Sequence, residues 1–166
     1  QDATMPDIQI RAATAEDADD IFHFIRELAI YEKAEEEVVT DVAGIRQSIF
    51  SDRSTVRAKM CHVDGQVAGF AVYFFNYSTW QGQNGIYLED LYVSPEYRGV
   101  GAGKALLHSL AKEAVNENCG RFEWSVLDWN EPAIQFYESI GADAQSEWIR
   151  YRLEGDSLKR FAAESI

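Results

Sequence analysis

The chain has 166 residues, with 15 Lys+Arg against 28 Asp+Glu and a formal charge of −13. So anionic a protein lacks the basic face through which nucleic acid or an anionic membrane is held, which excludes both as bulk-field partners. At 46% hydrophobic and 13% aromatic residues, a chain of this length buries roughly two thirds of its unfolded surface. One domain over 1–166 is expected, needing neither metal nor disulfide to fold, with residues 1–7 flexible.

In chain order, Ile8 to Arg11 reads as a strand, and Thr14 with Asp17 as a helix cap and first-turn acid. Ile21, Phe24, Ile25 and Leu28 recur at helical spacing, so the pattern predicts a helix over 15–31. A shorter helix follows around 41–50, from Ile45 and Ile49. Val56, Ala58 and Met60 alternate with Arg57 and Lys59 as in a half-exposed strand. Asp64-Gly65 is a hairpin turn into the apolar run Val67 to Phe75. A polar loop is expected over Asn76 to Gly85, then a strand from Ile86 to Val93.

The glycines Gly99, Gly101 and Gly103 open a helix carrying Leu107, Leu110, Ala111 and Ala114 on one face and stopped by Gly120. Phe122, Trp124 and Val126 alternate as a strand. Asn130 caps the next helix, Pro132 sits harmlessly in its first turn, and Gly141 ends it. Ile149, Tyr151 and Leu153 suggest a last strand before a short amphipathic tail. The sum is an α/β sandwich around a mixed sheet of about six to seven strands flanked by helices.

Charge is unevenly spread. Residues 1–48 hold 12 acids and 4 bases, 49–88 hold 2 and 3, and 89–166 hold 14 and 8, so the middle is the apolar heart of the sheet. Cys61 and Cys119 form no disulfide framework or metal-ligand spacing, and read as core thiols in a reducing compartment. His23, His62 and His108 likewise show no ligand spacing, so no metal is expected. No apolar run reaches the ~18 to 20 residues of a membrane span, and the start lacks signal-peptide character. A cytoplasmic location is expected.

Arg98-Gly-Val-Gly-Ala-Gly-Lys104 lies between a strand and a helix, where free backbone N–H groups and the helix dipole converge. That is an anion site suited to phosphate or pyrophosphate, or else only a tight structural turn. A Walker A loop fails because Arg98 and Ala105 stand at required positions. A dinucleotide fingerprint fails because Lys104 or Leu106 falls where its third glycine belongs.

R-x-x-G-x-G does fit the pyrophosphate loop of the GCN5-related N-acetyltransferases. Tyr87-Leu-Glu-Asp-Leu-Tyr-Val-Ser-Pro-Glu-Tyr-Arg98 and Leu127-Asp-Trp-Asn-Glu-Pro-Ala-Ile-Gln-Phe-Tyr137 resemble one branch of that family, the spermidine/spermine and thialysine N-acetyltransferases. The resemblance runs from Ile10-Arg11 through Leu28-Ala-Ile-Tyr-Glu32 to the last expected strand. It implies acetyl-CoA as donor, with Leu91, Tyr92 and Val93 pairing with the pantetheine arm. The loop residues Arg98, Gly99, Val100, Gly101, Ala102, Gly103 and Lys104 then hold the pyrophosphate, and Asn130, Ala133 and Tyr137 contact the cofactor from the following helix.

Amine acetylation needs a neutral amine, a polarised thioester carbonyl and a proton for the departing thiolate. Glu89 and Asp90 interrupt an apolar strand, and adjacent strand residues face opposite ways, so a bulge or a cleft is required if both are to reach solvent. The resemblance implies such a bulge. It assigns Glu89 to amine binding and proton removal, with a structural carboxylate at a strand end as the alternative. Tyr137 reads on spacing as a core aromatic, or as a phenol whose pKa near ~10 suits a thiolate leaving group. The resemblance makes it the general acid.

Tyr31, Glu32, Trp80, Asp90, Glu123, Trp124 and Ser125 match positions where the family contacts its amine, while Glu32 and the run Glu35 to Glu37 also read as a solvated face. Tyr77-Ser-Thr-Trp-Gln-Gly82 and Val126-Leu-Asp-Trp-Asn130 look more like the thialysine branch, which favours a lysine-like side chain over a polyamine. The expected activity is direct acetyl transfer to a primary amine of a small cationic acceptor. Acetylation of a protein or peptide amine, and a non-catalytic acyl-CoA-binding module, stand as alternatives. A homodimer is expected by resemblance.

Overall fold

The computed structural model describes residues 5–166. Residues 1–4, part of the segment expected to be flexible, lie outside the described residues. Asp7 is tied to the first hairpin: its N–H donates to Asp64 Oδ1 at 2.9 Å and its carbonyl accepts from the Asp64 N–H at 2.8 Å.

The apolar runs become five strands, β1 (Ile8–Ala12), β2 (Val56–Val63), β3 (Gln66–Ser78), β4 (Gln83–Val93) and β5 (Arg121–Trp124). They lie side by side in sequence order. The first three pairings are antiparallel and β4–β5 is parallel, which makes the sheet mixed. The turn between β2 and β3 is Asp64-Gly65, both at positive φ (49° and 79°), the backbone of a two-residue hairpin matched to strand twist.

Helix α1 (Ala18–Tyr31) follows a 3-10 turn over Ala15–Asp17, and α2 (Val42–Phe50) starts where Asp41 accepts the Gly44 N–H at 2.8 Å. Both cover one face of the sheet. Ala18, Ile21, Phe24, Ile45 and Ile49 pack there with Ala58, Met60, Phe70, Val72 and Tyr92. Helix α3 (Ala102–Asn116) covers the other face through buried Leu106, Leu107, Leu110 and Ala114. Lys59 Nζ reaches Ser109 Oγ at 2.7 Å and pins α3 to β2.

Four expectations are corrected. Among the described residues the sheet has five strands, not six to seven. The loop expected over Asn76 to Gly85 shrinks to 79–82 because β3 and β4 pair out to Ser78↔Gln83; backbone pairing sustains a strand where side chains are polar. The α3 stop is Asn118, left-handed at φ 57°, with the Cys119 N–H on the Ala114 carbonyl at 2.8 Å. Asparagine adopts that conformation more readily than most residues, and Gly120 instead donates to the Asn84 carbonyl at 2.9 Å. Residues 149–153 belong to no strand, with Ile149 and Tyr151 exposed; alternation yields a strand only where a sheet edge pairs with it.

Packing divides the chain into two units, Gln1–Leu127 and Asp128–Ile166. The first holds the sheet and α1 to α3. The second holds α4 (Glu131–Ser139) and α5 (Gly155–Ala162). Among the described residues no helix is long and apolar enough to cross a membrane.

Asp17 fastens the start of α1. It is buried, takes two bonds of 2.8 Å from the Arg11 guanidinium and a third of 2.8 Å from the Thr14 N–H. The Arg11 bonds, against the opposing effect of burial, hold its carboxyl below the usual carboxylate range. A depressed acid stabilises the fold above its unfolded pKa and loses that contribution as pH falls through the folded value. Asp17→Asn is therefore expected to cost about 2 kcal/mol in urea unfolding at pH 7. The gap from the parent should narrow as pH drops below about 4.

Candidate active site

The site begins with a counting mismatch between β3 and β4. Tyr73 pairs with Leu88 and Val72 with Asp90, so Glu89 has no residue opposite it. One extra residue on one strand is a β-bulge, which bends the strand and re-aims its side chains. Pairing between β4 and β5 runs from Gly85↔Arg121 to Leu88↔Trp124 and stops one residue before the bulge. Among the described residues, β3 is the one strand that pairs with β4 from Glu89 to Val93, and β5 no longer pairs along the other edge.

The bulge also sorts the side chains. Leu88 is buried and lies beside Tyr73, Glu89 is exposed, and Asp90 sits half-buried opposite Val72 on the face covered by α1. Tyr92 enters the core on that same face, so its backbone rather than its ring remains for the open edge. Leu91 and Val93 lie on the α3 side, next to Gly103.

Three carboxylates gather at the α1 side. Glu32 is the C-cap of α1, and burial pushes its carboxyl up. Asp90 is pushed up to about 6, first by burial and then by the negative charges of Glu89 and Glu32. The structure thus brings Glu32, Glu89 and Asp90 into one field. A cluster of like charges with a raised pKa is arranged to receive a cation.

The glycine-rich loop lies at the end of the same strand. Gly99 and Gly101 are left-handed, at φ 81° and 94°, and Gly101 is the N-cap of α3. The first bond of the helix runs from the Ala105 N–H to the Gly101 carbonyl at 2.9 Å. The N–H groups of Ala102, Gly103 and Lys104 precede that bond and have no carbonyl within the helix. Together with the dipole they form a cradle for an anion. Arg98 is exposed, but its Nε donates to the Val93 carbonyl at 2.9 Å, and its guanidinium lies 5.4 Å from the centre of the Tyr92 ring. These residues fit the pyrophosphate of a coenzyme A thioester.

On β5, Glu123 stands beside Tyr87 and accepts from Asn76 Nδ2 at 3.4 Å, while Ser125 shares a 2.8 Å hydrogen bond with Tyr87 Oη. Trp124 packs on Phe122 with ring centres 4.9 Å apart. All three lie close to Leu88, where the strands part. Trp80 stands exposed in the 79–82 turn. Glu35 bonds to exposed Arg26 at 3.3 Å, as in a solvated face.

In the second unit, Asn130 Oδ1 accepts the Ala133 N–H at 3.4 Å and starts α4, which carries Ala133 and Tyr137 one turn apart. The Tyr137 carbonyl accepts the Ala142 N–H at 3.1 Å after left-handed Gly141. Sequence reasoning missed Gly69. A Cβ there would strike the Tyr92 carbonyl and Val93, so this glycine lets β3 approach β4 closely beneath the open edge. A glycine within an apolar strand run is the signal that marks such an approach.

A bulge where β5 stops pairing and a glycine-rich anion cradle at the end of the same strand together form the candidate active site. The profile of the Acetyltransferase (GNAT) family matches residues 18–142. The chain is 36% identical over 169 residues to the thialysine N-epsilon-acetyltransferase of Mus musculus, covering 95% of this chain and 99% of that one. It is 33% identical to spermidine/spermine N(1)-acetyltransferase-like protein 1 of Homo sapiens over 97% of this chain and 24% of the human protein. The solved integron cassette protein VCH_CASS6 from the mobile metagenome of V. cholerae superposes with a TM-score of 0.80 at 28% identity, covering 95% of this chain and 98% of that one. The chain belongs to the GNAT acetyltransferase family and is an N-acetyltransferase.

Asp90 gives this site a pH signature. Its folded pKa is raised, so its charged form destabilises the fold, and that penalty is absent below the unfolded value and complete above the folded one. Asp90→Asn should raise the melting temperature at pH 8. Calorimetry should find the difference shrinking as pH falls through about 6 and gone below about 4.

Proposed function

We propose that this enzyme transfers the acetyl group of acetyl-CoA directly to a primary amine of a small cationic acceptor, with a thialysine or lysine-like side chain first and di- or polyamines second. One observation carries the reading. Three carboxylates, Glu32, Glu89 and Asp90, meet in the same unit as an anion cradle, at the point where β4 loses β5. An anionic thioester and a cationic amine are the pair of reactants that such a juxtaposition suits. The relatives' names point the same way.

In this reading Arg98, Lys104 and the backbone of Gly99 to Gly103 bind the donor's pyrophosphate, and the open backbone edge of Leu91 to Val93 aligns its arm. Acetyl-CoA supplies the activated acyl group. Glu89, exposed at the bulge, draws the proton from the ammonium through water. Glu32 and Asp90, with Glu123 to Ser125, orient the acceptor. Tyr137 returns a proton to the thiolate, while Asn130 and Ala133 complete the donor's seat. A phenol matches an alkyl thiol closely enough in pKa for that transfer.

The family profile runs across the boundary between the two units, which supports a single catalytic domain over 1–166. We also place the enzyme in the cytoplasm as a homodimer.

A panel with acetyl-CoA and thialysine, lysine, putrescine, spermidine or a lysine peptide tests the reading by thiol release. Thialysine is expected to be the best acceptor. Coenzyme A binding with no release for any amine would reject catalysis, and release with the peptide alone would redirect it to proteins. Tyr137→Phe should lower kcat by about 10²-fold or more with acetyl-CoA affinity nearly unchanged. Glu89→Gln should raise the KM for the amine and shift the rate optimum to higher pH, where more of the amine is already neutral; parental kinetics would remove Glu89 from the mechanism.

A further inference from the structure

Tyr31 and Arg98 belong to opposite halves of the proposed reaction, yet they touch. Tyr31 is the last residue of α1, beside Glu32, on the acceptor side. Arg98 belongs to the donor's loop. The Arg98 guanidinium lies 5.9 Å from the centre of the Tyr31 ring and 5.4 Å from that of Tyr92, both within cation–π range. Its Nε is anchored on the Val93 carbonyl at 2.9 Å.

The contact is asymmetric. Tyr92 is 6% exposed and fixed in the core, whereas Tyr31 is 45% exposed at a helix end. The Val93 carbonyl and the ring of Tyr92 anchor one side of the guanidinium, and its remaining face offers Tyr31 a seat. The chain leaves α1 immediately after Glu32, with left-handed Lys33 at φ 60°. Whatever orders Tyr31 also orders the backbone that carries Glu32.

We propose that Tyr31 is a positioning residue that couples the two substrates. A pyrophosphate in the glycine loop binds the N–H groups of Arg98 left free by Val93 and narrows the positions of the guanidinium. Tyr31 then packs on a stationary cation, and Glu32 is held in the carboxylate cluster before the amine arrives. Donor binding thus lowers the ordering cost of acceptor binding, and linkage makes the effect reciprocal. The inference rests on the proposed amine site.

Calorimetric titration of coenzyme A into the full chain, with and without saturating thialysine, reads the coupling. The parent is expected to bind coenzyme A fivefold or more tightly with thialysine present, within the usual range of coupling between sites. Tyr31→Leu should abolish that enhancement and raise the amine KM far more than it lowers kcat, with coenzyme A affinity alone little changed. Tyr31→Phe, which keeps the ring, should retain it. In Tyr31→Leu/Arg98→Lys the coupling should be no lower than in either single variant, because both act through one contact.

Full coupling in a folded Tyr31→Leu, or loss of coupling in Tyr31→Phe, would overturn the proposal. So would a parent that turns over thialysine but shows no enhancement. Failure of the amine reading is a separate result, namely coenzyme A binding with no turnover of any amine.

Discussion

A single unmatched residue organises this site. Were β3 and β4 to pair without interruption, consecutive residues of β4 would alternate regularly between the two faces. Glu89 breaks that regularity because Tyr73 and Val72 take Leu88 and Asp90 as partners and leave it over. The strand bends where β5 departs, one carboxylate is turned out and the next lies under the end of α1. Everything proposed about the acceptor depends on that local irregularity, and the backbone edge offered to the donor begins there too.

The electrostatics are built outward from the same point. Three acids within one field repel one another, and burial raises the cost of their charge, so Asp90 holds its proton to about pH 6. Such an arrangement costs stability in the free enzyme, and a bound cation relieves it. The glycine loop is the opposite pole. Left-handed Gly99 and Gly101 turn the chain so that unspent N–H groups and Arg98 form a positive region a few residues further along. The overall charge of −13 obscures this local dipole.

Much of this was legible in the residues themselves, and the reasons are specific. Asp64-Gly65 demands a backbone that only a tight hairpin supplies, and Asn130 followed by Pro132 marks a helix start by the bonds each makes or lacks. Two adjacent acids in an apolar strand required a bulge or a cleft, and the bulge falls on one of them. Other features depend on distant partners and leave no local trace. Polar residues 76–78 and 83–85 read as loop but are carried into strands by pairing with each other, whereas apolar 149–153 reads as strand and forms no ladder. The contact of Arg98 with Tyr31 joins segments far apart in the chain, and no spacing rule announces it.

The bulge has a further consequence for how fold and activity are related. Leu88 and Asp90 already face neighbouring residues of β3, so a chain lacking residue 89 would close into a regular ladder with every later side chain still in phase. The sheet therefore has no architectural use for Glu89 and would be more uniform without it. Shape and the proposed chemistry are separable at this position: a one-codon deletion would keep the ladder and remove the carboxylate to which proton removal is assigned in the proposed mechanism.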